Sequence, residues 1–289
     1  MFRTLMIILL TFAGAAQADR LTTVTLNDGR YYLIAVPEGV KSPPLILALH
    51  GGGGNPAQFE RDAGLTAAAL KAGYAIAYPA GTGRTRLLTW NAIYCCAYAQ
   101  RQGIDDVAFL DRVVKDARKR FGIDPKRIFV TGMSNGSMMA ETYAASRPAI
   151  VRAVAGVSGT LDVRDVRVRG PVPLLHIHGT ADEHVLYTGG VGPDSIVETD
   201  VSSVEQVLRA FLAVAPRGLS ATETVINPTE DGMTTDRLAW SKNGVDWIVH
   251  LRVNGGGHNW PGGARGAHKG ATTDFRAADE ILRFFGQFR

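Results

Sequence analysis

Cysteine is nearly absent from this 289-residue chain, which contains only Cys95 and Cys96. Because the two residues are neighbours, a disulfide between distant parts of the chain is excluded, and any internal disulfide must join this pair. Consecutive Cα atoms lie about 3.8 Å apart across a trans peptide, which is below the usual disulfide range of about 4.4–6.8 Å. The sequence therefore leaves open whether the pair is bonded or consists of free thiols.

Long apolar runs are also missing. The run at residues 5–12 is far shorter than the roughly 20 residues that span a bilayer, which argues against a transmembrane anchor. It follows Arg3, and the small residues after it end in Ala16-Gln17-Ala18, which matches the A-x-A cleavage pattern. We predict that residues 1–18 are a signal peptide cleaved near Ala18. The mature chain, residues 19–289, is then expected to be a single secreted domain, periplasmic or extracellular, without a membrane span.

The chain has no strong excess of charge of one sign, since its net charge at pH 7 is +4. Residues 1–18 carry Arg3 and no acidic residue, so their removal leaves +3. The densest basic cluster, residues 118–120, falls within one turn of a predicted helix and is interpreted as a solvated face. A charge this small, spread over the whole mature chain, predicts no nucleic-acid partner.

Short apolar segments alternate with segments of helical periodicity along the chain. The predicted strands are 22–26, 31–36, 45–50, 74–78, 127–131, 151–157, 173–178, 222–227, 237–240 and 246–253. The predicted helices are 56–71, 105–121, 135–147, 202–214 and 274–285, and a long loop covers 79–102. This alternation predicts an α/β fold with one doubly wound, mostly parallel sheet and helices on both faces.

A Gly-x-Ser-x-Gly motif at residues 132–136 contains the candidate nucleophile, Ser134. The predicted strand runs directly into the motif and a helix follows directly, which is typical of the nucleophile elbow of the α/β-hydrolase fold. The alternative is a serine that only caps an ordinary helix. The strand, turn and helix favour the elbow.

A catalytic serine needs a base and an orienting carboxylate, which in this fold follow in the order acid, then histidine. Asp182 comes directly after a predicted strand, and α/β sheets bind ligands at the carboxyl ends of their strands. Glu183, the next residue, is the alternative for the role of the acid. His258 follows the last predicted strand in a glycine-rich loop, whereas His250 lies inside that strand and His268 in a polar tail region. We therefore predict the triad Ser134, Asp182 and His258.

An oxyanion hole needs two backbone N–H groups that point at one position. Asn135 is expected to supply one, because it directly follows the nucleophile. The other is assigned to Gly51 or Gly52, which stand in the glycine run after His50.

Two other motifs point to ligands that we do not expect. Residues 52–57 fit the dinucleotide pattern G-x-G-x-x-A, but the acidic residue expected about 20 positions later is absent. His176 and His178 share one face of a predicted strand, as zinc ligands can, yet no third ligand stands at a recognisable spacing. The sequence thus predicts neither a cofactor nor a metal.

Aromatic residues near the predicted site are candidates for the substrate-binding surface. Trp90 and Tyr94 lie in the long loop, and Trp260 follows His258 closely. We expect the three to form an apolar wall for the acyl or aromatic group of a substrate, with ordinary core packing as the alternative for each.

These motifs together resemble the secreted polyhydroxybutyrate depolymerase and feruloyl esterase-like hydrolases, a branch related to carbohydrate esterase family 1. The matching segments are 49–52, 90–91 with 95–96, 105–110, 132–136, 178–182 and 257–262. The resemblance implies the same Ser134–Asp182–His258 triad and cofactor-free hydrolysis of carboxylic esters. Polyhydroxybutyrate or its oligomers, polymeric or soluble, are the expected substrates, with feruloyl or acetyl-xylan esters as the alternative. A serine peptidase and a non-catalytic secreted binding protein are weaker alternatives, and the sequence gives no oligomeric state.

Overall fold

A ten-stranded sheet organises the computed structural model, which describes residues 21–264 and 270–288. The strands are β1 (Thr22–Thr25), β2 (Tyr31–Ala35), β3 (Leu45–Leu49), β4 (Ala75–Pro79), β5 (Ile128–Met133), β6 (Val151–Val157), β7 (Leu174–Gly179), β8 (Ser220–Ile226), β9 (Thr234–Lys242) and β10 (Val245–Asn254). Their order is β1-β2-β4-β3-β5-β6-β7-β10-β9-β8. Six central strands run parallel, namely β4, β3, β5, β6, β7 and β10. Antiparallel strands flank them on both sides.

Seven helices within the described ranges cover this sheet. They are α1 (Pro56–Ala63), α2 (Thr66–Lys71), α3 (Ala97–Arg101), α4 (Asp106–Phe121), α5 (Asn135–Ser146), α6 (Val204–Val214) and α7 (Ala277–Gly286). Alternation along β3 explains why both faces need a cover: Leu45, Leu47 and Leu49 join the apolar core of α4, α5 and α6, whereas Ile46 and Ala48 join the core of α1, α2 and α7. The predicted mostly parallel sheet with helices on both faces is confirmed.

Two local predictions were wrong in their details. The single helix expected over 56–71 is divided, because Gly64 adopts the left-handed conformation at φ 64° and ends α1 there. The segment predicted as an uninterrupted loop contains α3. The stretch between β4 and α4, residues 80–105, is called the β4–α4 loop below.

The parallel strands place their carboxyl ends at one edge of the sheet. Ser134 follows β5, Asp182 follows β7, and His258 follows β10, so the three predicted residues meet at that edge. The predicted signal peptide, residues 1–18, lies outside the described residues. In the described part of the chain, no helix combines the length and the apolar character needed to cross a membrane.

Candidate active site

The turn between β5 and α5 presents Ser134 in a strained backbone conformation. Its φ is 55° and its ψ is −125°, and its N–H donates to the carbonyl oxygen of Val157 at 2.8 Å. The turn is tight enough to require glycine on both sides: a Cβ on Gly132 would overlap the Gly136 carbonyl, and one on Gly136 would overlap the Leu49 carbonyl. The motif therefore has the backbone geometry expected of a nucleophile elbow.

Asp182 and His258 form a hydrogen-bonded pair. His258 Nδ1 donates to Asp182 Oδ2 at 2.8 Å, and the other carboxylate oxygen accepts the N–H groups of His184 and Val185, both at 2.9 Å. Burial would raise the pKa of Asp182, but the neighbouring His178 and the hydrogen bond from His258 hold that pKa well below its usual range. The carboxylate is thus kept ionised and can orient the imidazole of His258.

Ser134 and His258 line one cavity of about 760 Å³ at the carboxyl edge of the sheet. Gly51, Gly52 and Asn135 line the same cavity, so the structure brings all the predicted catalytic and oxyanion-hole residues except the buried Asp182 to one surface. Two of the competing residues lie elsewhere. Glu183 is exposed, His250 is buried against Tyr187, and His268 falls outside the described residues.

The candidate oxyanion loop, residues 50–54, is held by hydrogen bonds of the His50 side chain. Its Nδ1 donates to the Gly51 carbonyl at 2.8 Å, and its Nε2 accepts the Gly81 N–H at 3.1 Å. Burial lowers the pKa of His50 to about 4, which keeps the ring neutral and suited to one donor and one acceptor. Asn135 is the first residue of α5, so its N–H has no acceptor within the helix.

The expectation that Trp90 and Tyr94 form the cavity wall is corrected by their positions. Trp90 is fully buried, and its Nε1 donates to the His50 carbonyl at 2.9 Å. Its backbone N–H donates to Asn135 Oδ1 at 2.7 Å, and Asn135 Nδ2 donates back to its carbonyl at 3.0 Å. Tyr94 points inward as well, and its hydroxyl donates to the Thr160 carbonyl. Trp90 therefore connects the oxyanion loop to Asn135 of the nucleophile elbow and does not face the cavity.

Trp260 does line the cavity, edge-on to Phe59, and its Nε1 donates to the Ala63 carbonyl at 3.1 Å. Cys95 and Cys96 also line it and are joined in a disulfide, with a cis peptide bond between them. Further apolar side chains complete the surface, namely Leu87, Met138, Val185, Ile196, Val197 and Val201. The cavity can therefore accommodate an apolar group beside the serine.

Asp106 anchors the β4–α4 loop, a role that sequence reasoning missed. Its Oδ2 accepts the Asn91 N–H at 2.7 Å, and its Oδ1 pairs with Arg30 at 2.7 Å. The guanidinium of Arg30 also lies 3.3 Å from the centroid of the Phe109 ring. The sequence placed Asp106 in the first turn of a helix, where acidic residues are common. Only its burial distinguishes it from such a residue.

His176 and His178 face each other along β7, and the distance between His176 Nε2 and His178 Nδ1 is 3.3 Å. Their nitrogens are thus directed at protein groups. Within residues 21–264 and 270–288, no three His, Cys, Asp or Glu side chains are placed to hold a metal ion.

Comparisons with known proteins indicate an esterase family. The sequence profile of a family described as esterase PHB depolymerase matches residues 30–184, which is more than half of the chain. NocK of Nocardia uniformis subsp. tsuyamanensis, classed as an esterase, is 34% identical over 94% of this chain and 83% of its own length. Feruloyl esterase B of Piromyces equi is 31% identical over 56% of this chain, which spans only 31% of that protein.

Among solved structures, the acetyl xylan esterase from Aspergillus awamori is similar to this chain with a TM-score of 0.62. The match covers 93% of this chain and 99% of that one, at 16% sequence identity. At such low identity the likeness concerns the fold alone, and it confirms the predicted α/β-hydrolase fold.

Proposed function

Because this chain belongs to the esterase PHB depolymerase family and is a carboxylic ester hydrolase, we propose that it cleaves its substrate through an acyl-enzyme on Ser134. The observation that carries this proposal is the shared cavity, where the strained serine and the Asp182-bonded His258 line one surface. A serine that only capped a helix would need neither the strained φ nor a paired histidine beside it.

In the proposed mechanism, His258 takes the hydroxyl proton of Ser134 as the serine oxygen attacks the ester carbonyl. Asp182 keeps the proton of His258 on Nδ1 and stabilises the imidazolium that forms. The Asn135 N–H and an N–H of the Gly51–Gly52 segment stabilise the oxyanion. His258 then protonates the leaving alcohol. In the second step His258 takes a proton from water as the water oxygen attacks the acyl carbon, and it returns that proton to Ser134 Oγ as the acid is released.

For the substrate, we infer polyhydroxybutyrate or its oligomers. The family description and the apolar residues beside the serine support this choice. Feruloyl or acetyl-xylan esters are the second candidate, supported by the similarity to feruloyl esterase B. We also propose that residues 1–18 direct secretion, consistent with their signal-peptide pattern.

Labelling with a fluorophosphonate tests the nucleophile. We expect one adduct on Ser134 and none on Ser134→Ala, whose kcat should fall by roughly 10⁴-fold or more. Ser220→Ala, on β8 and exposed, is the matched control and should react like the wild type. An unlabelled wild-type Ser134, or an active Ser134→Ala, would disprove the proposal.

A hydrolysis panel then separates the substrate classes. It contains 3-hydroxybutyrate oligomers, methyl ferulate, acetylated xylan, and an ester and an anilide of the same acyl group. Preference for the oligomers supports the first candidate, and preference for methyl ferulate or xylan supports the second. Faster cleavage of the anilide than of the ester would instead indicate a peptidase.

A further inference from the structure

A chain of buried polar side chains runs from α5 to the proposed catalytic carboxylate. His176 Nδ1 lies 2.8 Å from Glu141 Oε1, and His176 Nε2 lies 3.3 Å from His178 Nδ1. His178 Nε2 lies 3.4 Å from Asp182 Oδ2, the oxygen that His258 also contacts. Glu141 and both of these histidines are essentially inaccessible to solvent, and none of the three lines the cavity.

The Val185 carbonyl fixes one proton in this chain, and the positions of the others follow from it. His178 Nε2 lies 2.8 Å from the Val185 carbonyl oxygen, which can only accept, so Nε2 carries a proton. In a neutral His178, Nδ1 is then an acceptor, and His176 Nε2 must donate to it. His176 Nδ1 and Glu141 Oε1 therefore share exactly one further proton. The second carboxyl oxygen of Glu141 accepts the Leu161 N–H at 2.8 Å.

Burial favours placing this shared proton on the carboxyl group. It raises the pKa of Glu141 to about 8 and lowers the pKa of His176 well below its usual value. Together, Glu141, His176 and His178 then carry no net charge, which is the arrangement that costs least in a dry core.

Two groups that face this chain from other elements, Tyr94 and His250, are neutral, whereas Asp182 at its end is ionised. Tyr94 faces Glu141 from the β4–α4 loop, and burial raises the pKa of its hydroxyl. His250, on β10, donates from Nδ1 to the His176 carbonyl and accepts from Tyr187, so its ring is neutral. The nearest cation on that side is Arg252, which is paired with Asp236 at 2.7 Å.

We propose that Glu141, His176 and His178 are positioning residues of the active site, and that their shared proton keeps His178 Nε2 donating to the carbonyl of Val185, the residue whose N–H donates to Asp182. This inference rests on the proposed role of Asp182 in the triad. Loss of the proton reverses every link: an ionised Glu141 can only accept, so His176 must donate from Nδ1 and accept at Nε2. His178 must then donate from Nδ1, and its Nε2 no longer donates to the Val185 carbonyl, so the turn that holds Asp182 loses this bond.

Glu141→Gln tests the proton directly, because an amide keeps the bonds of a protonated acid and cannot ionise. Its NH2 group can donate to His176 while its oxygen accepts the Leu161 N–H. The wild type should lose about tenfold in kcat, with KM unchanged, as the pH rises through about 8. Glu141→Gln should not show this loss. Equal alkaline losses in the two folded proteins would overturn the proposal.

Glu141→Met separates positioning from simple packing, since methionine has a similar length but no polar group. We expect kcat to fall about tenfold or more at pH 7 with KM nearly constant, and Glu141→Gln to restore most of it. Thr142→Val, at the next buried position of α5, is the control for core substitution and should leave kcat unchanged. A similar kcat in Glu141→Met and the wild type would refute the positioning role.

Long-range 15N–1H NMR spectra of the wild type provide a measurement that needs no variant. At pH 7, His176 should be neutral, both histidines should carry a proton on Nε2, and the proton on His176 should move to Nδ1 as Glu141 ionises. A doubly protonated His176, or a tautomer protonated on Nδ1 at pH 7, would contradict the proposal. These spectra do not depend on Ser134, so a failed triad and a failed proton chain give different results.

Discussion

Trp90 illustrates how one buried side chain determines the relative position of two loops. Its indole N–H holds the backbone of the oxyanion loop at His50, while its own backbone is held by the side chain of Asn135. One proposed oxyanion donor, Asn135, bonds directly to Trp90. The other, Gly51 or Gly52, follows the His50 carbonyl that Trp90 holds. Their separation is thus governed by a residue that does not line the cavity.

We therefore expect Trp90→Phe to act on kcat. Phenylalanine retains most of the apolar volume but removes the donor to the His50 carbonyl, so kcat should fall about tenfold while KM changes little. Steady-state kinetics on a p-nitrophenyl ester measure the effect. Trp247→Phe, in which the replaced indole packs against Phe288 far from the cavity, should keep wild-type kinetics. An increase in KM alone would indicate that Trp90 contacts the substrate after all.

The position of a site residue could be predicted from the sequence where that residue directly follows a strand. The orientation of a side chain that is buried by a distant segment could not. Ser134, Asp182 and His258 each follow a central strand, so their meeting at one edge could be predicted from chain order. The inward orientation of Trp90 could not, because it depends on a partner 45 positions away. The link between Glu141 and His176 is hidden in the sequence for the same reason.

The elbow between β5 and α5 is the element on which the proposed chemistry depends. The start of α5 lies so close to the end of β3 that residue 136 has no room for a side chain. This close approach brings the Ser134 turn beside the glycine run that follows β3. The missing Cβ at residue 136 thus contributes to placing the nucleophile and the oxyanion loop on one cavity.

Gly136→Ala should for this reason be strongly destabilising, by several kcal/mol, because its Cβ would meet backbone carbonyls that cannot rotate away. Gly286→Ala provides a matched helical control, since no atom lies within 4 Å of its added Cβ. That variant should be neutral or stabilised by up to about 1 kcal/mol. Thermal unfolding followed by circular dichroism compares the two. Equal melting temperatures would show that the backbone at Gly136 can relax.

Elements could be located from the sequence more reliably than their ends could be. Periodicity placed α4 and α5 within one residue of their observed bounds, because each has clear signals at its start and end. The break at Gly64 was missed because apolar spacing continues across it into α2. The short α3 was missed because five residues are too few to show a period.

For the whole molecule, the sheet separates two apolar cores, and the cavity lies at its edge, away from the centre of either core. Phe285 is fully buried in the core of α1, α2 and α7, where its ring lies 4.8 Å from that of Phe129. Stability and chemistry should accordingly respond to different substitutions.

Phe285→Ala should cost about 3–5 kcal/mol in free energy of unfolding and lower Tm by roughly 10 °C. Its kcat/KM at 25 °C should stay near the wild-type value, because the folded fraction still contains an intact cavity. Phe121→Ala removes the same ring from a half-buried position and should lower Tm by roughly half as much or less. A large loss of kcat/KM in folded Phe285→Ala would mean that the two regions are coupled.

The anchoring of the β4–α4 loop has a consequence for protein engineering. Its base is fixed by Trp90, by the bond between Asn91 and Asp106, and by the bridge between Thr82 and Thr89. Leu88 is held as well, because its backbone pairs with Gly53 and Gly54. The tip, residues 84–87, carries none of these anchors, yet it supplies Leu87 to the cavity. The tip can therefore be replaced as a unit. Libraries of variants confined to it can shift the specificity of the enzyme to bulkier or more polar esters without disturbing the residues that cleave them.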